Sequence, residues 1–201
     1  MAEIDISGIF DRVKNVLVKP KETFQEIKSE RSTMQDLIVY LAIIGIPTLI
    51  GVIIGWGVVG YNLGYVFGGF GSGYRVTLPI GWAIGKGITQ YVGLIVGMVI
   101  LGFIINALAP TFKSKQDQMQ AMKIAAYMAT PALIAGILYI WVPLAILVLL
   151  ASLYGLYLLY VSLPIMMGTP QDQQMTYFIV TLVLYIVIIG VVDYGVGGVF
   201  I

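Results

Sequence analysis

Two ionisable residues stand alone inside long apolar stretches, Lys86 and Asp193. Charges within a membrane span are costly, and they often mark ion or substrate paths. As a pair, they could line such a path in the outer half of a bundle. Alternatively, Asp193 is wet at a helix end and Lys86 snorkels outward along its own stem. A second group is Tyr127, Thr130 and Pro131. Proline inside a span frees a carbonyl that a hydroxyl or a neighbouring helix can satisfy, so these residues make either a packing kink or a ligand site. Tyr154, Tyr157 and Tyr160 recur at near-helical spacing, as a binding surface or an interfacial stripe would. Asp172 reads as a solvated charge or as part of a helix N-terminus.

Much chemistry is excluded from the outset. The chain has no histidine and no cysteine, so thiol nucleophiles, imidazole bases, disulfides and Cys/His metal sites cannot be assembled. Asp193 is the only acid deep in a span, which leaves no aspartyl dyad. The composition calls for neither a cofactor nor a nucleic-acid partner, and no enzyme is expected.

The elements that must carry these residues are membrane helices. Of 201 residues, 59% are hydrophobic and only 10% charged, where a soluble domain carries about 25%. The expectation is an all-α, polytopic transmembrane bundle of about five spans, with an amphipathic N-terminal helix at the interface. Residues 1–36 form a charged cytoplasmic segment without the apolar core of a signal peptide, so the first span should serve as an uncleaved insertion signal. The spans fall at about 37–59, 79–108, 122–140, 144–167 and 175–196. Leu37 to Tyr74 contains no charge, but from Gly60 onward it is dense in Gly, Tyr and Phe. That part reads as a loop on the outer headgroup region. Lys113 to Lys123 makes a polar loop with Lys123 at its edge, and Trp141-Val142-Pro143 makes a tight apolar turn.

Orientation follows from the basic residues. Arg12, Lys14, Lys19, Lys21, Lys28 and Arg31 precede the first span, and Lys113 and Lys115 follow the second. Only Arg75 lies on the other side. The positive-inside rule therefore places the N-terminus in the cytoplasm and the C-terminus outside. Before the spans, Ile6, Ile9, Phe10, Val13, Val16 and Leu17 make an apolar stripe, with Asp11, Arg12, Lys14 and Asn15 opposite. Such a helix lies in the headgroup plane or packs on the bundle ends. Gly51-x-x-x-Gly55, Gly93-x-x-x-Gly97 and Ala121, Ala125, Ala129 are small-residue stripes that allow close helix approach, within a protomer or in a homo-oligomer.

Two stretches also resemble a known family. One runs from Gln120-Ala121-Met122-Lys123 through Tyr127-Met128-Ala129-Thr130-Pro131. The other is Tyr154-Gly155-Leu156-Tyr157-Leu158-Leu159-Tyr160, followed by Leu163-Pro164, Met167, Thr169-Pro170 and Tyr177. Pro20-Lys21-Glu22-Thr23-Phe24 fits the same pattern. Together they resemble the prokaryotic branch of the Yip family, whose eukaryotic relatives are Ypt/Rab-interacting proteins of the early secretory pathway. The resemblance implies a five-span fold with a cytoplasmic N-terminus, embedded in the lipid bilayer of a prokaryotic cell. It also implies a role in organising or trafficking membrane, with a protein partner at the cytoplasmic face, a small GTPase in the eukaryotic relatives. The chain departs from those relatives in having no Asp-Leu-Tyr-Gly-Pro-type segment, and Gln173 stands where a lysine follows Pro-x-Asp. The competing expectation is a small transporter or channel built on Lys86 and Asp193.

Overall fold

A computed structural model describes residues 6–62 and 75–197. The glycine-rich loop expected on the outer surface falls mostly at 63–74, outside the described residues. The chain is helical almost throughout. α1 (Ile6–Val18) and α2 (Pro20–Ser29) come first, then α3 (Met34–Ile54), which runs on as a π-helical turn over Gly55–Val59. Tyr61–Asn62 pairs antiparallel with Arg75–Val76 as a two-residue bridge. α4 (Ile80–Leu108) follows, closed by a 3₁₀ turn at Ala109–Phe112. Next are α5 (Gln118–Met128), α6 (Thr130–Ala135) and 3₁₀ turns at Gly136–Ile140 and Val142–Leu144. α7 (Ala145–Met167) and α8 (Gln171–Gly197) complete the fold.

Among the described residues, four helical segments are long and apolar enough to cross a membrane: Met34–Val59, Ile80–Phe112, Gln118–Ile140 and Ala145–Met167. α8, with 27 residues, is the fifth long segment; at 1.5 Å per residue it measures about 40 Å. Ile50, Val92, Phe103, Leu149, Val183 and Ile186 all stand exposed. So broad an apolar surface is stable against lipid and not against water.

Local sequence explains the helix ends. Thr33 and Asp36 start α3 as a reciprocal cap: the Thr33 N–H and hydroxyl donate to the Asp36 carboxylate (2.7 and 2.9 Å), and the Asp36 N–H donates back to the Thr33 hydroxyl (3.3 Å). Pro20 sits in the first turn of α2, where its missing N–H costs nothing. Gly168 takes φ +66° just past α7, the left-handed conformation that closes many helices. Pro131 does more than kink the third span. α5 stops at Met128, a new helix starts at Thr130, and the chain tightens to 3₁₀ at Gly136, because the proline ring cannot follow another turn without clashing with the carbonyl before it.

The chain forms two compact units. One contains Met1–Leu37, Val96–Met128 and Tyr157–Ile201, the other Ile38–Ile95 and Ala129–Leu156. The first has Val16, Phe24, Ile27, Leu101, Ile124 and Tyr177 in its core. Pro164 in α7 leaves the Tyr160 carbonyl without its helical N–H, and the Gln174 side-chain amide of α8 donates to that oxygen (2.8 Å). The Tyr177 hydroxyl donates to the Ile105 carbonyl near the end of α4, and its ring stacks on Phe112 at 4.9 Å.

In the second unit, glycines let backbones touch. A methyl group at Gly51 would fall on the carbonyl of Gly136, and one at Gly55 on that of Tyr139. Gly51-x-x-x-Gly55 is thus a packing stripe within the chain, whereas Gly93 faces open space. The Thr48 hydroxyl donates to the buried Leu133 carbonyl (2.6 Å), where α6 gives way to the tighter turn.

Candidate functional site

The most heavily partnered charge is Lys123, which is 1% exposed. Its helix tolerates it because the most apolar 18-residue window of Gln118–Ile140 is 72% buried, against 33–44% for the corresponding windows of the other three apolar segments, so the side chain meets protein and not lipid. The ammonium donates to the carbonyl oxygens of Ile27 (2.8 Å) and Glu30 (2.6 Å). Both lie at the C-terminus of α2, where unpaired carbonyls and the helix dipole favour a cation. Glu30 then reaches the other way, its carboxylate pairing with the Arg12 guanidinium of α1 at 2.5 Å. Burial works most strongly against the Arg12 charge, but the hydrogen bond to Glu30 and the nearby Tyr127, Glu30 and Glu26 together outweigh it and raise the arginine pKa.

Two further contacts fasten the same helix end. Lys28 Nζ donates to the Ile165 carbonyl of α7 (2.7 Å), and the Gln120 side-chain amide of α5 donates to the Lys28 carbonyl (3.0 Å). The α2 terminus is therefore held by α1, α5 and α7 together. Nearby, the Ser114 hydroxyl donates to Thr169 Oγ1 (2.9 Å), and the Lys115 N–H donates to the Met167 carbonyl (2.8 Å). The loop before α5 is thus tied to the loop before α8.

This arrangement corrects two placements in the sequence reading. Lys123, set at the edge of a polar loop, is a buried fastening residue inside a helix. Arg12, set on the wet face of α1, turns in half-buried because Glu30 offers it a carboxylate. Of the apolar stripe, Phe10 points outward and is 71% exposed, while Val16 is fully buried. α1 docks along Val16 and leaves Phe10 and Val18 uncovered, with the exposed Lys14, Lys19 and Lys21 around them.

The remaining candidates scatter. Tyr127 is buried within electrostatic range of Arg12, Glu30 and Asp36, so it belongs with the fastening cluster. Thr130 and the buried Pro131 lie in the other unit, where the Thr130 and Tyr40 hydroxyls share a hydrogen bond (2.8 Å). Tyr154 is half-buried and Tyr157 exposed on α7; Tyr160 meets Phe178 edge-on at 5.7 Å. Asp172 is exposed in the first turn of α8, and the Gln173 side-chain amide (3.0 Å) lowers its carboxyl pKa. Lys86 is exposed on α4, its ammonium 4.9 Å from the ring centroid of Trp56. Asp193 lies on α8, but its side chain is outside the described residues. No cluster of three potential metal ligands occurs among the described residues.

Two signals for the fastening cluster were available in the residues themselves. Glu30 is an acid at the end of a short helix that carries a buried Phe24/Ile27 pair, and Lys123 sits within the small-residue stripe of Ala121 and Ala125. Neither signal identifies its partner.

Comparison with known proteins converges on one family. The Yip1 domain family model matches residues 14–192, from the middle of α1 to near the end of α8. No curated protein and no solved structure matches. The matched span takes in α2 with its Lys28 and Lys123 contacts, nearly all of the long helices and both motif stretches, and the chain belongs to the Yip family of integral membrane proteins.

Proposed function

We propose that this is a non-enzymatic Yip-type membrane protein of the prokaryotic branch, which organises or shapes the bilayer through its N-terminal helix pair. In this reading the N-terminus is cytoplasmic and the C-terminus outside. One observation carries it: α1 and α2 are fastened through Lys123, Lys28 and Arg12, while Phe10 and Val18 remain uncovered among lysines. A helix docked in this way, with apolar and basic groups outward, suits insertion between anionic headgroups. The same surface could recruit a protein partner, and the small GTPases of eukaryotic relatives are one such class.

The alternative reading, a small transporter or channel using Lys86 and Asp193, draws no support from the exposed position of Lys86. Reconstitution into anionic vesicles separates the two. The membrane-organising reading expects altered vesicle shape that weakens in Phe10→Ser and in high salt, with no solute flux. Flux that depends on Lys86, or vesicle shape indifferent to Phe10, would sink it.

A further inference from the structure

The open flank of α4 around Lys86 is not used by the fastening cluster, and its chemistry points elsewhere. Lys86 lies six residues into α4, about 9 Å along its axis, and its side chain can extend back toward the helix start. There its ammonium rests over Trp56, and Trp82, one turn earlier, is 68% exposed. Indole rings favour the level of lipid headgroups. A lysine over an indole face uses one side of its ammonium and keeps N–H donors for an anion. Among the described residues no carboxylate lies within ion-pair distance of Lys86. Beside it the helix surface is bare: a methyl group at Gly81, Gly85 or Gly93 would meet nothing within 4 Å. At about 100° per residue, Gly81, Gly85, Thr89 and Gly93 run down one flank, forming a shallow track that starts at Trp82 and Lys86.

From this geometry we propose that Lys86, held over Trp56, binds the phosphate of a net-anionic phospholipid, with its glycerol and upper acyl chain along the Gly81–Gly85–Thr89 track. Charge selects the lipid. A zwitterionic headgroup brings its own cation to the phosphate, which competes with Lys86 and is repelled by it. A headgroup such as phosphatidylglycerol leaves the phosphate to the lysine. Charge also argues against a second copy on this flank, since a two-fold axis through the glycines would bring two Lys86 ammonium groups together in a low-dielectric setting. The glycines let the headgroup approach the backbone closely. This site goes beyond the membrane-organising reading and does not depend on which side the N-terminus occupies.

The chain has three tryptophans, so the full-length Trp82→Phe/Trp141→Phe protein reports from Trp56 alone. It is reconstituted in phosphatidylcholine vesicles containing equal fractions of brominated phosphatidylglycerol or brominated phosphatidylcholine, and quenching of Trp56 is measured. Several-fold stronger apparent binding of the anionic lipid is expected, lost in Lys86→Met and kept in Lys86→Arg. Excess inorganic phosphate should not displace the lipid, because the acyl chain contributes to its hold. Should Lys86→Met fail to reconstitute, the Trp56 preference and its retention in Lys86→Arg decide. Equal quenching by the two lipids, or a preference unchanged in Lys86→Met, overturns the site. So does efficient disulfide dimerisation of Thr89→Cys in the same vesicles, which would give the flank to a second copy. A reporter fused after Ile201 reads topology independently, so failure of the orientation and failure of the site remain distinct.

Discussion

Two lysines interrupt the apolar helices of this protein, and they are held in opposite ways. Lys123 is enclosed by protein and satisfied by two backbone carbonyls at the end of α2. Lys86 is exposed and stacks on an indole. The first charge is bound into the fold, so its value lies in what it holds. The second only rests against the fold, so in the proposed lipid site its value lies in what it can still bind. An intramembrane charge is therefore not one kind of signal: burial and the identity of the neighbouring oxygens decide whether it is a fastener or a receptor.

The comparison predicts its own largest effect. Lys123→Met removes two charge-assisted hydrogen bonds and leaves two carbonyls short of a donor. The loss should be about 2–3 kcal/mol, or about 4–12 °C in melting temperature for a chain of this size. Lys123→Arg should rescue little, because a guanidinium is too broad for a seat that is 1% exposed. Lys86→Met should move the melting temperature hardly at all. Equal effects at the two positions, read by thermal unfolding in detergent, would erase the distinction.

Glycine substitutions sharpen the same contrast. Gly51→Ala places a methyl on the Gly136 carbonyl, backbone against backbone, and should destabilise by about 1–3 kcal/mol. Gly85→Ala meets nothing and should be neutral, or stabilising by up to about 1 kcal/mol through reduced chain entropy. Denaturation in matched detergent ranks the two; an inverted order would show that the flanks had been misassigned.

Among the contacts that hold the fold, the smallest loss is expected at Arg12. Its ion pair with Glu30 is partly exposed (24% and 36%), so Arg12→Met should cost about 0.2–1 kcal/mol overall. The change should concentrate in α1. Amide exchange there should speed up while the protection of α5 stays unchanged, because Lys123 still holds α2. Loosening that spread equally through α5 would mean that the two contacts act as one.

Much of the architecture could be read from charge and proline. The charge-free run after Leu37, Pro110 after the second span and Pro170 before the last mark helix limits because charges and prolines act locally. Lys123 was not legible in this way. Its burial depends on Ile27 and Glu30, more than ninety residues earlier in the chain, and no periodicity within α5 encodes a partner at that distance. Arg12 misled for the same reason: alone on a helical wheel it is a solvent-facing charge, and only Glu30 makes the inward position favourable. Phe10 and Val16 divide the stripe between its two expected roles, facing outward and packing on the bundle. A single amphipathic stripe assumes one apolar neighbour, whereas α1 presents apolar groups both to α2 and away from it. Pro131 was recognised as a distortion, but whether a proline kinks a helix or restarts it depends on what receives the freed groups.

The Gln174 amide on the Tyr160 carbonyl has a consequence for biosynthesis. The ribosome delivers α7 before α8, so for a time the oxygen exposed by Pro164 has no side chain from the last helix to meet it. An unsatisfied carbonyl is costly in hydrocarbon, and a nascent chain ending before Gln174 would carry that cost. Such a chain is better accommodated beside water or a chaperoning surface than released into lipid. Once α8 has arrived, its Gln174 side chain removes that cost, and residence of α7 in the bilayer becomes favourable.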